Sequence, residues 1–333
     1  MTVKEVFDLR KQGRIEEAYE AIRPMYAVHK GKYTTLCMFW TASDILKKRL
    51  KEKRTDEAVM IFRALLRILP NIDDSDRKAH TAIYREAVML AKEQTDDAGR
   101  RQQTKHAATD SEQPRPTFSM LDFLEQLNVE DLNEEDWKAT NVAPTDGQPG
   151  HPIPSVAQQM LTCAFHEIQQ HPDVDNALKA MPLLQEAVRR HPYDKNNLRH
   201  IAVVYTIMGE NEKAVGTYRQ LLARFHDSYL YAELAKLTDS PGQKAALYCR
   251  AIQNQRQEKF KTAYRLELAR LLAERDKPKA AHELKKCVDT RMALGLGINR
   301  SIQTLQQQLQ GITPATDSEQ QTFYRKMMGK YPI

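Results

Sequence analysis

The stretch AMPLLQEAVRRHPYDKNNLRHIAVVYTIMGENEKAVGTYRQLLARFH, residues 180–226, decides the fold. Ala180, Leu184, Ala187 and Pro192 are followed 34 residues later by Ala214, Tyr218, Leu221 and His226. Between the two sets lie Leu198, Ile201, Ala202, Tyr205 and Gly209. The pattern is a pair of helices repeated at a fixed interval, and a fixed interval is the mark of a stacked array. A small Ala lets the second helix approach the first closely, and an aromatic fills the gap to the next hairpin. Gly209 suits a turn that needs a left-handed residue, and Pro192 cannot continue the helix before it.

Weaker copies flank this pair. Ala58, Val59, Phe62, Leu65, Leu66 and Pro70 repeat the second-helix pattern after an apolar stripe at Leu36, Phe39, Trp40 and Ile45. Ala18, Ile22 and Met25 follow Gly13 in the same way, and Tyr264, Leu268, Leu271, Ala280, Leu284, Cys287 and Val288 fit near the C-terminus. A shortened hairpin carries Tyr231, Leu234, Ala235 and Leu237, turns at Asp239-Ser240-Pro241-Gly242, and returns with Tyr248, Ala251 and Ile252. Pro241 is placed to open its second helix. Pro24 and Pro182 fall inside second helices and are expected to kink or delay them.

These residues resemble the tetratricopeptide repeat family over roughly two thirds of the chain, with a pattern that tolerates much variation. The resemblance implies an all-α solenoid of antiparallel helix hairpins and a concave face that holds a peptide or protein. It places Asn196, Arg199, Thr206, Arg265 and Leu272 on that face. A known use of the family is a clamp of Lys and Asn on first helices around a C-terminal carboxylate. Its positions correspond to Asn196, Arg199 and Val203, and to Thr262, Arg265 and Ala269. With no Asn at 203, that clamp is not expected.

Composition agrees. Of 333 residues, 41% are apolar and 28% charged, enough for both a core and a solvated surface. Ala, Leu, Glu, Lys, Gln and Arg dominate, and these favour helix. No apolar run reaches the length of about 18 residues that a membrane helix needs. The four cysteines, Cys37, Cys163, Cys249 and Cys287, form no CxxC pair and sit in apolar helical stretches. A reducing, cytoplasmic setting is expected.

The helical pattern is interrupted twice. Residues 95–117 are polar, with two prolines, and read as a flexible linker after an N-terminal block at 1–94. Residues 118–154 hold an acidic amphipathic piece and then a Pro-rich loop: Phe118, Leu121, Phe123, Leu124, Leu127, Val129, Leu132 and Trp137 alternate with Asp122, Glu125, Glu130, Asp131, Glu134, Glu135 and Asp136. So much apolar surface is expected to fold and dock. Residues 155–293 read as the main repeat block, opened by a Ser155 cap. Residues 294–333 read as capping helices and tail, with Phe323, Tyr324, Met327 and Met328 on one side of a helix starting at Asp317. The order of these blocks, and the segment DFLEQLNVEDLNEEDW above all, resembles helical-repeat proteins of bacterial mobile-element conflict systems.

Catalytic chemistry is not written in the chain. His166-Glu167 and His171 resemble a zinc-protease pair, but histidines five apart diverge by about 140° on a helix, whereas zinc needs them four apart. No phosphate loop or nucleophile elbow occurs, and Gly295-Leu296-Gly297 follows no strand. No enzyme activity, metal or cofactor is expected. Of two basic clusters, Arg189, Arg190, Arg199 and His200 surround a hairpin junction, and Lys47, Lys48, Arg49, Lys51, Lys53 and Arg54 close one helix and open the following turn, where cations complement the dipole. The latter cluster is also where the acidic segment could dock, or where a phosphate-bearing partner could bind. The net charge of +6 allows nucleic acid without requiring it. The leading reading is a scaffold or adaptor for a protein or peptide. The alternative is a nucleic-acid-associated factor of a conflict system that contacts phosphate through the basic clusters. The residues leave the oligomeric state open.

Overall fold

The computed structural model describes residues 1–73, 77–104, 117–141 and 152–333. The described residues are almost entirely α-helical, apart from a two-stranded antiparallel ladder that pairs Thr140–Asn141 with Pro152–Ile153. The chain forms two compact units, Met1–His191 and Pro192–Ile333.

The N-terminal unit contains α1 (Val3–Lys11), α2 (Ile15–Val28), α3 (Lys32–Lys51), α4 (Thr55–Ile68), α5 (Arg77–Thr104), α6 (Met120–Gln126), α7 (Val156–Gln170) and α8 (Val174–Arg190). The C-terminal unit contains α9 (Lys195–Ile207), α10 (Asn211–Leu222), α11 (Ser228–Lys236), α12 (Pro241–Asn254), α13 (Glu258–Leu272), α14 (Lys277–Ala293), α15 (Arg300–Gln308) and α16 (Asp317–Lys330). Sequential helices pack as antiparallel hairpins: α1 on α2, α3 on α4, α7 on α8, α9 on α10, α11 on α12 and α13 on α14.

One position recurs in five of the second helices. The fourth residue is alanine in α2 (Ala18), α4 (Ala58), α8 (Ala177), α10 (Ala214) and α14 (Ala280), and each is wholly buried. The register therefore aligns Ala214 with Ala177 rather than with Ala180, because α8 is longer than α10. Both α2 and α8 continue through their internal prolines, Pro24 and Pro182.

The turns between paired helices also repeat. Gly13, Lys53 and Gly209 follow α1, α3 and α9, each with positive φ (77°, 60° and 76°). In all three turns the next residue donates its N–H five residues back: Arg14 to Leu9, Arg54 to Arg49, Glu210 to Tyr205. This is the Schellman arrangement, which satisfies carbonyls left open at a helix end. Lys53 holds it without glycine's freedom, while its ammonium lies 2.9 Å from the Glu93 carboxylate.

Helix α5 runs to Thr104, into the stretch read as a linker, since the prolines come only at 114 and 116. The rest of that stretch, 105–116, and most of the Pro-rich loop, 142–151, lie outside the described residues. The division between the units falls inside the span 155–293, because α7 packs on α5 and α8 on α6.

The acidic segment replaces a helix. Its short α6 and two 3₁₀ turns lie between second helices α4 and α8, where a partner for α5 would stand. Phe118 and Phe123 meet Phe62 of α4 edge-on at 5.3 and 5.8 Å, and Tyr84 of α5 lies 6.4 Å from Phe123. Glu167 of α7 closes the start of α6, accepting from Met120 N (2.7 Å), Leu121 N (3.2 Å) and the Ser119 hydroxyl (2.9 Å).

Lys53→Gly and Lys53→Ala both delete the Glu93 ion pair, so their difference isolates the backbone. The glycine variant should be more stable by about 1 kcal/mol, the usual penalty for a left-handed residue bearing Cβ. Paired denaturant titrations measure this, and equal stabilities would contradict the turn assignment.

Candidate functional site

The five residues expected on a binding face are placed very differently. Asn196 is exposed on α9. Arg199, half-buried, forms an ion pair with Glu233 of α11 at 2.6 Å and stacks its guanidinium 4.9 Å from the Tyr229 ring centroid. The Thr206 hydroxyl donates to the Ala202 carbonyl of its own helix (2.9 Å). Arg265 and Leu272 are buried, at 7% and 6% exposure, and so are not available to a partner.

Arg265 is buried where α13 packs on α14. α16 packs on α12 and α14, the second-helix side of its unit. Arg265 pairs with the wholly buried Glu283 at 3.0 Å and with Glu258 at 3.1 Å. The Gln320 amide and Tyr324 hydroxyl of α16 donate to the other Glu283 oxygen. Four polar side chains from α13, α14 and α16 thus seat the last helix. Sequence spacing could not reveal this, because the partners are brought together by packing alone. The partner of Arg199 was within reach of sequence: Glu233 lies one repeat interval, 34 residues, further on.

The basic cluster is neutralised from within. Lys48 and Arg49 meet Glu16 at 3.1 and 2.6 Å, and hydrogen bonding from Arg49 holds the Glu16 carboxyl down at about 2. Lys47 reaches buried Glu86 (3.5 Å), Lys53 reaches Glu93, and Arg54 reaches Glu57 (2.5 Å). Lys51 makes no ion pair among the described residues. The acidic segment docks elsewhere. Lys179 takes Asp122 (2.6 Å) and Glu125 (3.2 Å), while Arg190 takes Glu134 (2.7 Å) and stacks 4.9 Å from the Trp137 centroid.

The groups weighed for catalysis have other duties. Glu167 caps α6, and His166 shares a 3.0 Å contact with Gln170. Burial pushes all four cysteine thiols up, away from the reactive thiolate. Among the described residues no three His, Cys, Asp or Glu side chains are grouped to hold a metal.

The open features of the N-terminal unit include a cleft and a groove. The cleft, of about 1010 Å³, is walled by charges of both signs, including Lys53, Arg54, Asp56, Glu57 and Asp122. The second is mainly apolar: a groove of about 730 Å³ between first helices α1 and α3, with Val3, Phe7 and Tyr33 in its walls. Tyr33 is 75% exposed. Lys4, Lys11 and Lys32 stand around this groove with Asp8 as the acid.

No helix among the described residues is long and apolar enough to cross a membrane. Residues 199–330 match a family described as a domain of unknown function (DUF7017). No curated protein matches the sequence. A solved structure of a tetratricopeptide repeat protein from Parabacteroides merdae ATCC 43184 is similar at 13% identity. That match covers 92% of this chain and 96% of the other, with a TM-score of 0.39. At that score the likeness adds nothing, and the hairpin architecture rests on the packing and turns described above.

Two outcomes follow for the C-terminal unit. Glu283→Ala leaves the buried Arg265 guanidinium with only the exposed Glu258 and should cost about 3 kcal/mol, most of it recovered in the double variant Arg265→Met/Glu283→Leu; denaturant melts of the two variants and the wild type test this. His200 is held at about 4, chiefly by burial and secondarily by Arg199. Its folded value lies below its unfolded one, so the chain loses stability as pH falls from about 6.5 towards 4, by roughly 3 kcal/mol in all. His200→Gln should flatten that part of a stability–pH profile.

Proposed function

We propose that the protein is a non-catalytic adaptor of tetratricopeptide type that holds a protein segment on its first-helix face. The observation that carries this reading is the groove between α1 and α3. Val3, Phe7 and Tyr33 give it an apolar strip, and the large aromatic Tyr33 is left in solvent. The second-helix sides support the same choice, since α16 and the acidic segment already cover them. Lys11 pairs with Asp8 at 4.0 Å and Lys32 with Asp73 at 3.2 Å, while Lys4 makes no ion pair among the described residues, so the fitting occupant is a segment with one bulky apolar anchor and an acid beside it to meet Lys4. A preformed groove spares the protein its own share of the ordering cost when such an anchor binds. The proposed place of action is the cytoplasm, which suits four cysteines left as thiols.

Selection of the full-length chain against a displayed random-peptide library tests this. Acidic peptides with a large apolar residue should be enriched. Phe7→Glu and Tyr33→Glu should each weaken a selected peptide by about ten-fold or more. No enrichment, or peptides indifferent to both substitutions, would overturn the reading.

A further inference from the structure

The whole-chain charge of +6 conceals a division. Residues 192–333 carry 23 Lys and Arg against 14 Asp and Glu, whereas residues 1–191 carry 27 against 30. All of the excess positive charge therefore belongs to the C-terminal unit.

Within that unit, one edge repeats a motif. Tyr193 lies two residues before α9, Tyr229 is the second residue of α11, and Phe260 the third of α13. These three helix starts are neighbours: Lys195 meets Asp227 at 3.2 Å, and the Gln255 amide donates to the Ser228 hydroxyl at 3.1 Å. Each ring has a cation against it. Arg224 lies 4.0 Å from the Tyr193 centroid, Arg199 4.9 Å from Tyr229, and Lys259 4.8 Å from Phe260. Tyr193 and Phe260 remain 62% and 52% exposed.

The acids along this edge are already engaged. Asp194 caps α9 by accepting from Asn197 N, Asp227 pairs with Lys195, Glu233 with Arg199, and Glu258 with Lys261 and Arg265. Arg224, Lys259 and the exposed Arg256 make no ion pair among the described residues. An uncompensated cation therefore stands against a solvent-facing ring at the first and third of these hairpins, whereas at the second the half-buried Tyr229 meets Arg199, which Glu233 neutralises.

We infer that this edge binds single-stranded nucleic acid, with bases stacked on Tyr193 and Phe260 and phosphates met by Arg224, Arg256 and Lys259. Stacking needs only the flat face of a base, so it tolerates any sequence, and a basic track supplies the backbone contacts. A duplex keeps its base faces covered and offers these rings nothing. A polyanion without bases would use the cations and ignore the rings. The inference does not depend on the α1–α3 groove.

Fluorescence anisotropy of the full-length chain with labelled oligo-dT and oligo-U tests it, with heparin and duplex DNA as comparisons. Single strands should bind more tightly than duplex. Tyr193→Leu and Phe260→Leu, which keep an apolar surface side chain, should each weaken binding by roughly ten-fold and leave heparin binding unchanged. Arg224→Ala and Arg256→Ala should each reduce the slope of log affinity against log salt by about 0.7. Phe7→Glu should have no effect. Failure to bind single strands, a preference for duplex, or leucine variants that bind like wild type would each overturn the inference.

Discussion

Everything in this chain depends on how closely two helices of a hairpin can approach. The fourth residue of a second helix faces the first helix one turn after the chain reverses. In α2, α4, α8, α10 and α14 it is a wholly buried alanine. A larger side chain there would wedge the pair apart, because a packed interior accommodates added volume only by straining its neighbours. The left-handed residue in the turn complements this contact: it reverses the chain within a few residues and satisfies the carbonyls of the helix it ends.

A second consequence concerns charge. A stacked array exposes much helix surface, and ionic groups on it find partners within their own helix or one hairpin away, the latter as with Arg10 and Asp44 or Arg199 and Glu233. Cations that look like a ligand site in one dimension are thus consumed by packing in three. Lys47 to Arg54 illustrates this, since Glu16, Glu52, Glu57, Glu86 and Glu93 surround it. Surface pairs of this kind contribute little stability each. Their effect is on specificity, because they cancel charge that would otherwise attract anions.

The acidic segment shows the same economy in apolar form. A hairpin whose second helix is missing would leave Phe62 and Tyr84 open to water. Phe118 and Phe123 cover that gap without forming a long helix, while Lys179 meets Asp122 and Glu125 and Arg190 meets Glu134. The α16 helix covers the other unit's second-helix side by a different means: a buried carboxylate, Glu283, surrounded by donors.

Several features were legible in the residues themselves. The all-α class, the small residue that opens second helices, the turn at Gly209, the Ser155 cap and the docking of the acidic piece all depend on local chemistry, on periodicity or on apolar content. Other features were decided only by the tertiary structure. Arg265 reads as a groove residue until α14 packs against α13 and Glu283 claims it. The charge cluster reads as a docking site until neighbouring helices supply its counterions. Helical periodicity reports which face of a helix a residue occupies, but whether that face meets water or another helix depends on segments far away in the chain.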